Sequence, residues 1–222
     1  MSLPRPVHAV VFDMDGLLVD TETLFRDAIL EAAAAIDRDL PVSVVHRTLG
    51  LNAAQAQSIW MDHFGAEFEL AEFQLDIRQR FHRLADTGIA LKAGVVELLD
   101  HLDAVGLPRA IATSSAHAEV DRNLAPHGLK DRFHAVIARG DYQLGKPHPE
   151  PFLKAAQALA ADPIHCLALE DSHNGVRAAH AAGMMTIMVP DLLEATEEMH
   201  GLCVGVAKSL HDVRDLIRRG RR

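Results

Sequence analysis

Short strand-like apolar runs punctuate the chain at 8–12, 109–112, 135–138, 166–169, 186–189 and 202–206. From the second run onward they alternate with segments of helical period. In "GVVELLDHLDAVG", Val95, Leu98, Leu99 and Leu102 recur at spacings of three, one and three, which is one stripe of a helix. "EPFLKAAQALA" and "NGVRAAHAAG" behave alike and stop near Gly or polar residues. Strands and helices in alternation predict an α/β fold with a doubly wound, mostly parallel sheet, a Rossmann-like core.

Between residues 21 and 89 the pattern changes, because helical periods follow one another without a convincing strand. "LAEFQLDIRQRFHRLAD" carries Leu70, Phe73, Ile77, Phe81 and Leu84 at spacings of three and four, one apolar helix face. Phe25, Ile29 and Trp60 are expected in the same small core, and the Ala-rich "AAAAI" is expected to be helical. The domain expectation is an α/β catalytic core from 1–20 and 90–222, with an all-helical cap at 21–89 inserted where it could close over the loop after the first strand.

Hydrophobic residues make up 49% and charged residues 24%, the balance of a soluble globular chain. With 22 Lys plus Arg against 31 Asp plus Glu, the net charge is −9. Nucleic acid is therefore not an expected partner, and an anion handled here needs its positive potential made locally, by a metal, a Lys or helix N-termini. Cys166 and Cys203 sit in apolar runs with no CxxC spacing, as reduced core residues do. The first apolar run is broken by Asp13, unlike a secretory signal, and no run approaches a membrane span. The expectation is a cytoplasmic protein with no membrane association and no predicted protein partner.

The chemistry concentrates at strand ends, where a parallel sheet gathers its functional groups. "VVFDMDGLLVDTE" ends its apolar run on Asp13 and Asp15, two carboxylates whose mutual repulsion needs a cation, a proton or a substrate to resolve it. The second run ends on Thr113 and Ser114, Lys146 follows the third, and Glu170 and Asp171 follow the fourth. A carboxylate nucleophile, a neighbouring acid and base, a hydroxyl and an ammonium for an anion, and an acidic pair for Mg2+ are the parts of phosphoryl transfer through an aspartyl phosphate.

In these motifs the chain resembles the haloacid dehalogenase-like phosphohydrolases along essentially its whole length. "DMDGLLVDTE" is similar to the first motif of that family, "IATSS" to the second, "GKPHPEPF" to the third and "ALEDSHNG" to the fourth. The helical insertion resembles the small cap of the branch that holds phosphoglycolate phosphatases, sugar-phosphate phosphatases and β-phosphoglucomutase. "TLGLNAAQAQSIW" is most similar to the sugar-phosphate phosphatases. The resemblance implies that Asp13 is the nucleophile and Asp15 the general acid and base, that Thr113 bonds the phosphoryl group, and that Lys146 neutralises it. It also implies Mg2+ held by Asp171 and Asp13 with the backbone carbonyl of Asp15, with Glu170 either a further ligand or a structural partner of a neighbouring loop. Gly16 permits a close turn. Gly16 and Ser114, together with Arg47, Gly50 and Asn52 of the "HRTLGLNAAQAQ" loop, are the expected substrate contacts, and the expected partner is a small phosphorylated metabolite.

Rival readings use overlapping parts. A calcium loop counted from Asp13 needs Gly and Glu where the chain has Leu18 and Leu24. A phospho-accepting receiver module has its acidic pair before the acceptor and needs no helical insertion. Thr113 and Ser114 also suit the capping of a helix starting near Ala116. A β-phosphoglucomutase-type isomerase would, by the same resemblance, carry a His and an Arg where this chain has Phe25 and Ala53, which favours water as the phosphoryl acceptor.

Overall fold

The run AVVF is buried throughout and too short to bury itself as a helix, so it pairs on both sides within a sheet. The computed structural model describes residues 2–48 and 53–220. In chain order the elements are β1 (Ala9–Phe12), α1 (Thr21–Ala35), α2 (Val42–Thr48), α3 (Ala53–Phe64), α4 (Leu70–Ala85), α5 (Val95–Ala104), β2 (Arg109–Ala116), α6 (His117–Leu124), β3 (Ala135–Arg139), α7 (Glu150–Ala158), β4 (Cys166–Glu170), α8 (His173–Ala181), β5 (Met185–Met188), α9 (Glu197–Leu202), β6 (Gly205–Val206) and α10 (Leu210–Gly220). The six strands lie in the order β3-β2-β1-β4-β5-β6, and every pairing is parallel. The order runs one way from β1 to β3 and restarts on the other side of β1 with β4, so the carboxyl ends of β1 and β4 border the switch point at which α/β sheets bind ligands.

The chain divides into two compact units, Met1–Val19 with Leu91–Arg222, and Asp20–Ala90. In the first, Phe152 of α7 and Ala178 and Ala179 of α8 pack on Val11, Ala110 and Ala168 of the sheet. Small Ala side chains on the strands let the helices approach closely, and Phe152 fills the space they leave. Burying a side chain of that size contributes roughly 1.5–3 kcal/mol before entropy is counted. Among its described residues the second unit holds helices and no strand, its core formed by Ile29 and Ala32 of α1, Val45 of α2, Trp60 of α3, and Phe73 and Ile77 of α4. The apolar face read from α4 is its buried face.

Three local expectations fail for visible reasons. Phe25 is 38% exposed and meets Phe81 edge to face, so it rims the helical core instead of filling it. Neither Thr113 nor Ser114 caps a helix, because β2 continues to Ala116 and the Glu119 carboxylate accepts the Ala116 N–H at 2.6 Å instead. The last strand is only Gly205–Val206, since the Thr196 hydroxyl accepts the Met199 N–H and starts a helix that takes Leu202.

Candidate active site

The alternation of an extended chain explains the paired carboxylates after β1. Met14 points into the core and is fully buried, so Asp13 and Asp15 share the opposite side. Phe12 is in register with Leu169, and the Asp13 N–H donates to the Leu169 carbonyl at 3.0 Å, which brings Asp13 level with the end of β4. Gly16 then turns the chain at φ 79°, where a side chain would be strained, and its N–H donates to the Val19 carbonyl.

Lys146 ties two strand ends together. Its ammonium lies 2.5 Å from Asp13 Oδ1 and 2.5 Å from Glu170 Oε1, and its side chain is 6% exposed. Burial alone would lower the pKa of this amine, but the Asp13 and Glu170 carboxylates outweigh it and raise it, so the ammonium stays protonated. Burial pushes the Asp13 carboxyl well above the usual carboxylate range. Lys146 pulls it down, while the Glu170 and Asp15 charges push it up again. The loop that delivers Lys146 is held by Glu150 of α7, whose carboxylate accepts the Gln143 and Leu144 N–H groups at 3.1 and 2.9 Å. Those two bonds hold Glu150 below its usual pKa. Tyr142 adds a hydroxyl bond to the Thr113 carbonyl, and Phe152 offers its ring face 5.1 Å from the ammonium.

Asp15 is held separately. Its Oδ2 accepts the Ser115 hydroxyl at 2.7 Å and the Thr113 hydroxyl at 3.4 Å, while Thr113 Oγ1 accepts the Ser115 N–H. Residues 113 and 115 share one side of the extended chain, and Ser114, which is exposed, lies between them. Ser115 is not among the residues expected from the sequence, although strand parity from Thr113 is the signal that singles it out.

Asp13, Glu170 and Asp171 are buried, and one carboxylate oxygen from each lies within 4.8 Å of the others. Three carboxylates lie together in a desolvated place, two of them on the Lys146 ammonium, and all-oxygen hard donors suit Mg2+ or Ca2+ better than a soft metal. The donor set therefore fits the divalent ion expected from the sequence. Glu170 keeps its place through further bonds, since its Oε2 accepts the Ser172 hydroxyl at 3.0 Å and the Ser172 N–H at 3.3 Å.

Not every expected residue joins this cluster. Arg47 is an exposed residue of α2, in the helical unit. Gly50 and Asn52 lie outside the described residues.

The family model for haloacid dehalogenase-like hydrolases matches residues 7–183, which includes all four strand ends. The chain belongs to that family. Hexitol phosphatase B from Escherichia coli K12 is 33% identical over 195 residues, covering 86% of each chain. A bifunctional riboflavin kinase/FMN phosphatase from Arabidopsis thaliana is 29% identical over 214 residues, but this chain spans only 56% of its length. A crystal structure of a haloacid dehalogenase family hydrolase from Deinococcus radiodurans R1, with bound phosphate and sodium, superimposes with a TM-score of 0.82 at 26% identity and covers 97% of both chains.

Proposed function

We propose that this hydrolase is a Mg2+-dependent phosphatase that releases phosphate from small phosphate monoesters, sugar phosphates by preference, through a phosphorylated Asp13. The observation that carries the reading is the division of the two motif carboxylates between environments. Asp13 is buried against Lys146, and Asp15 is half-buried against two hydroxyls. Two carboxylates in unlike surroundings suit a nucleophile and an acid–base pair. The name of the E. coli relative, a hexitol phosphatase, supports a polyol or sugar phosphate as substrate.

In the first step Asp13 attacks phosphorus, the bond from phosphorus to the ester oxygen breaks, and Asp15 gives its proton to the departing alkoxide. In the second, Asp15 takes a proton from water, the water oxygen attacks phosphorus, and the bond from phosphorus to Asp13 breaks to release phosphate. Lys146 keeps Asp13 oriented and offsets charge on the phosphoryl group, beside the Thr113 hydroxyl. Mg2+, held by Asp13, Glu170, Asp171 and the Asp15 carbonyl, would supply further positive charge to the phosphoryl oxygens. The helical unit is assigned the role of a cap that selects substrate. Reduced thiols at Cys166 and Cys203, both pushed up to about 11 by burial, suit a cytoplasmic location. No helix among the described residues is long and apolar enough to cross a membrane.

The test is a panel of small phosphate monoesters assayed for released phosphate with Mg2+ and with chelator, followed by Asp15→Ala. Chelation should abolish turnover. A sugar alkoxide needs a proton to leave and p-nitrophenolate does not, so Asp15→Ala should lose far more on a sugar phosphate. On p-nitrophenyl phosphate it should give a burst of about one nitrophenolate per enzyme before slow turnover. Full activity in chelator, or parental turnover of both esters by Asp15→Ala, would overturn the assignment.

A further inference from the structure

Gly175 occupies the first turn of α8, where glycine is the poorer choice. Its φ is not in the left-handed region, so no turn demands it, and glycine inside a helix costs about 0.5–1 kcal/mol relative to alanine. Gly94 shows the contrast: it sits at φ 90° and needs glycine for its backbone. What Gly175 supplies is room. A Cβ built there would lie 1.9 Å from Glu170 Cδ, 1.9 Å from Oε1 and 2.1 Å from Oε2. That overlap is too deep to absorb by small shifts, because Glu170 is 0% exposed and both its oxygens are bonded, one to Lys146 and the other to Ser172. Ser172, the N-cap of α8, closes the arrangement by accepting the Gly175 N–H at 3.1 Å.

We propose that Gly175 is a positioning residue for the reaction: the space left by its missing side chain is where the Glu170 carboxylate rests, and from there Glu170 holds Lys146 against Asp13. The contact is Gly175 to Glu170 to Lys146 to Asp13, a chain of neighbours in which only the last two are assigned to touch substrate. The proposal rests on the phosphatase reading, and it adds a residue that contributes no functional group. A methyl at 175 forces Glu170 off the helix end or moves the first turn of α8, and either displacement takes Oε1 from Lys146.

The experiment is a pair of double-mutant cycles on the full chain. In the activity cycle, Gly175→Ala should lower kcat on the order of 100-fold, the scale of a roughly 1 Å misplacement of a catalytic group. KM for the same ester should move less than about threefold, because the displaced groups act on the transition state. Glu170→Asp draws the carboxylate back by one methylene, about 1.5 Å, and relieves most of the overlap with the methyl. Adding Gly175→Ala to Glu170→Asp should therefore cost less than about threefold in kcat. A loss of about 100-fold that persists when Gly175→Ala is added to Glu170→Asp would overturn the proposal, as would an unchanged kcat in Gly175→Ala alone.

The stability cycle uses no activity and stays decisive if Gly175→Ala folds poorly. Gly175→Ala should lower the melting temperature of the parent but raise that of Glu170→Ala, where the space is empty and alanine is the better helix former. A loss in both backgrounds would show that glycine serves another need, and would refute the contact. Absence of phosphate release by the parent protein from every ester would instead defeat the phosphatase reading, and the stability cycle would still report on the contact.

Discussion

Replacing Lys146 by Met removes one charge and keeps most of the side chain's bulk, so it isolates what the ammonium does. In the parent the ammonium lies 2.5 Å from each of two carboxylates, one with its side chain 9% exposed and the other 0%. Without it, Asp13 and Glu170 both lose the ammonium they share, and their carboxylates stay close to that of Asp171. Removing one partner of a buried ion pair costs about 3–5 kcal/mol, chiefly because charge is left unpaired away from water. For a chain of 222 residues, at roughly 2–4 °C per kcal/mol, the melting temperature should fall by about 6–20 °C in metal-free buffer at pH 8. The dependence on pH has a definite sign. Asp13 already has its carboxyl raised by burial, and losing Lys146 removes the influence that pulls it down. A carboxyl with its folded-state pKa above its unfolded value favours the folded state when protonated, and that advantage is lost as pH rises through the folded pKa. The deficit of Lys146→Met should therefore be widest at pH 8 and shrink toward pH 5, as followed by calorimetry. A melting temperature within about 2 °C of the parent at pH 8, less than the shift expected from 1 kcal/mol, or a deficit that grows on acidification, would refute the reasoning.

Two further outcomes test the rest of the site. Asp171→Asn should raise the Mg2+ concentration needed for half activity by roughly 10- to 100-fold and recover partly at high Mg2+, measured by metal titration of phosphate release; a loss indifferent to metal would make Asp171 structural. Ser115→Ala should lower kcat about tenfold, the scale of one hydrogen bond to a charged group, with the loss greater on a sugar phosphate than on p-nitrophenyl phosphate because it acts through Asp15.

Asp13, Asp15, Glu170 and Asp171 are visible in the sequence because each interrupts an apolar run or stands at its end, and Lys146 because it lies in the loop after the third run; a parallel sheet brings such ends together whatever the helices do. The hydroxyl on Asp15 is harder to see. Whether residue 114 or 115 faces the site depends on how far β2 runs before it turns, and the apolar run that marks this strand stops at Ala112, four residues before the strand does. Ser172 and Gly175 are hidden for another reason. Their effect is on Glu170, and they read as ordinary helix-start residues until the position of its carboxylate is known. The helical insertion shows the opposite balance, since the apolar face of α4 is plain in its spacing, but Arg47, expected in a substrate-facing loop, is an exposed helix residue.

The bridge between Val19 and Leu91 is antiparallel, and the chain enters and leaves the helical insertion at those two residues. The insertion therefore begins and ends at one point on the sheet unit, as a long loop whose closure is already made by backbone pairing. Lengthening or exchanging such a loop is cheap, because closure entropy grows only with the logarithm of its length. Residues that would choose a substrate can thus be rewritten between positions 19 and 91 while the strand ends stay where they are. A chimera carrying a relative's helices on this sheet is a natural way to transfer preference without rebuilding the chemistry.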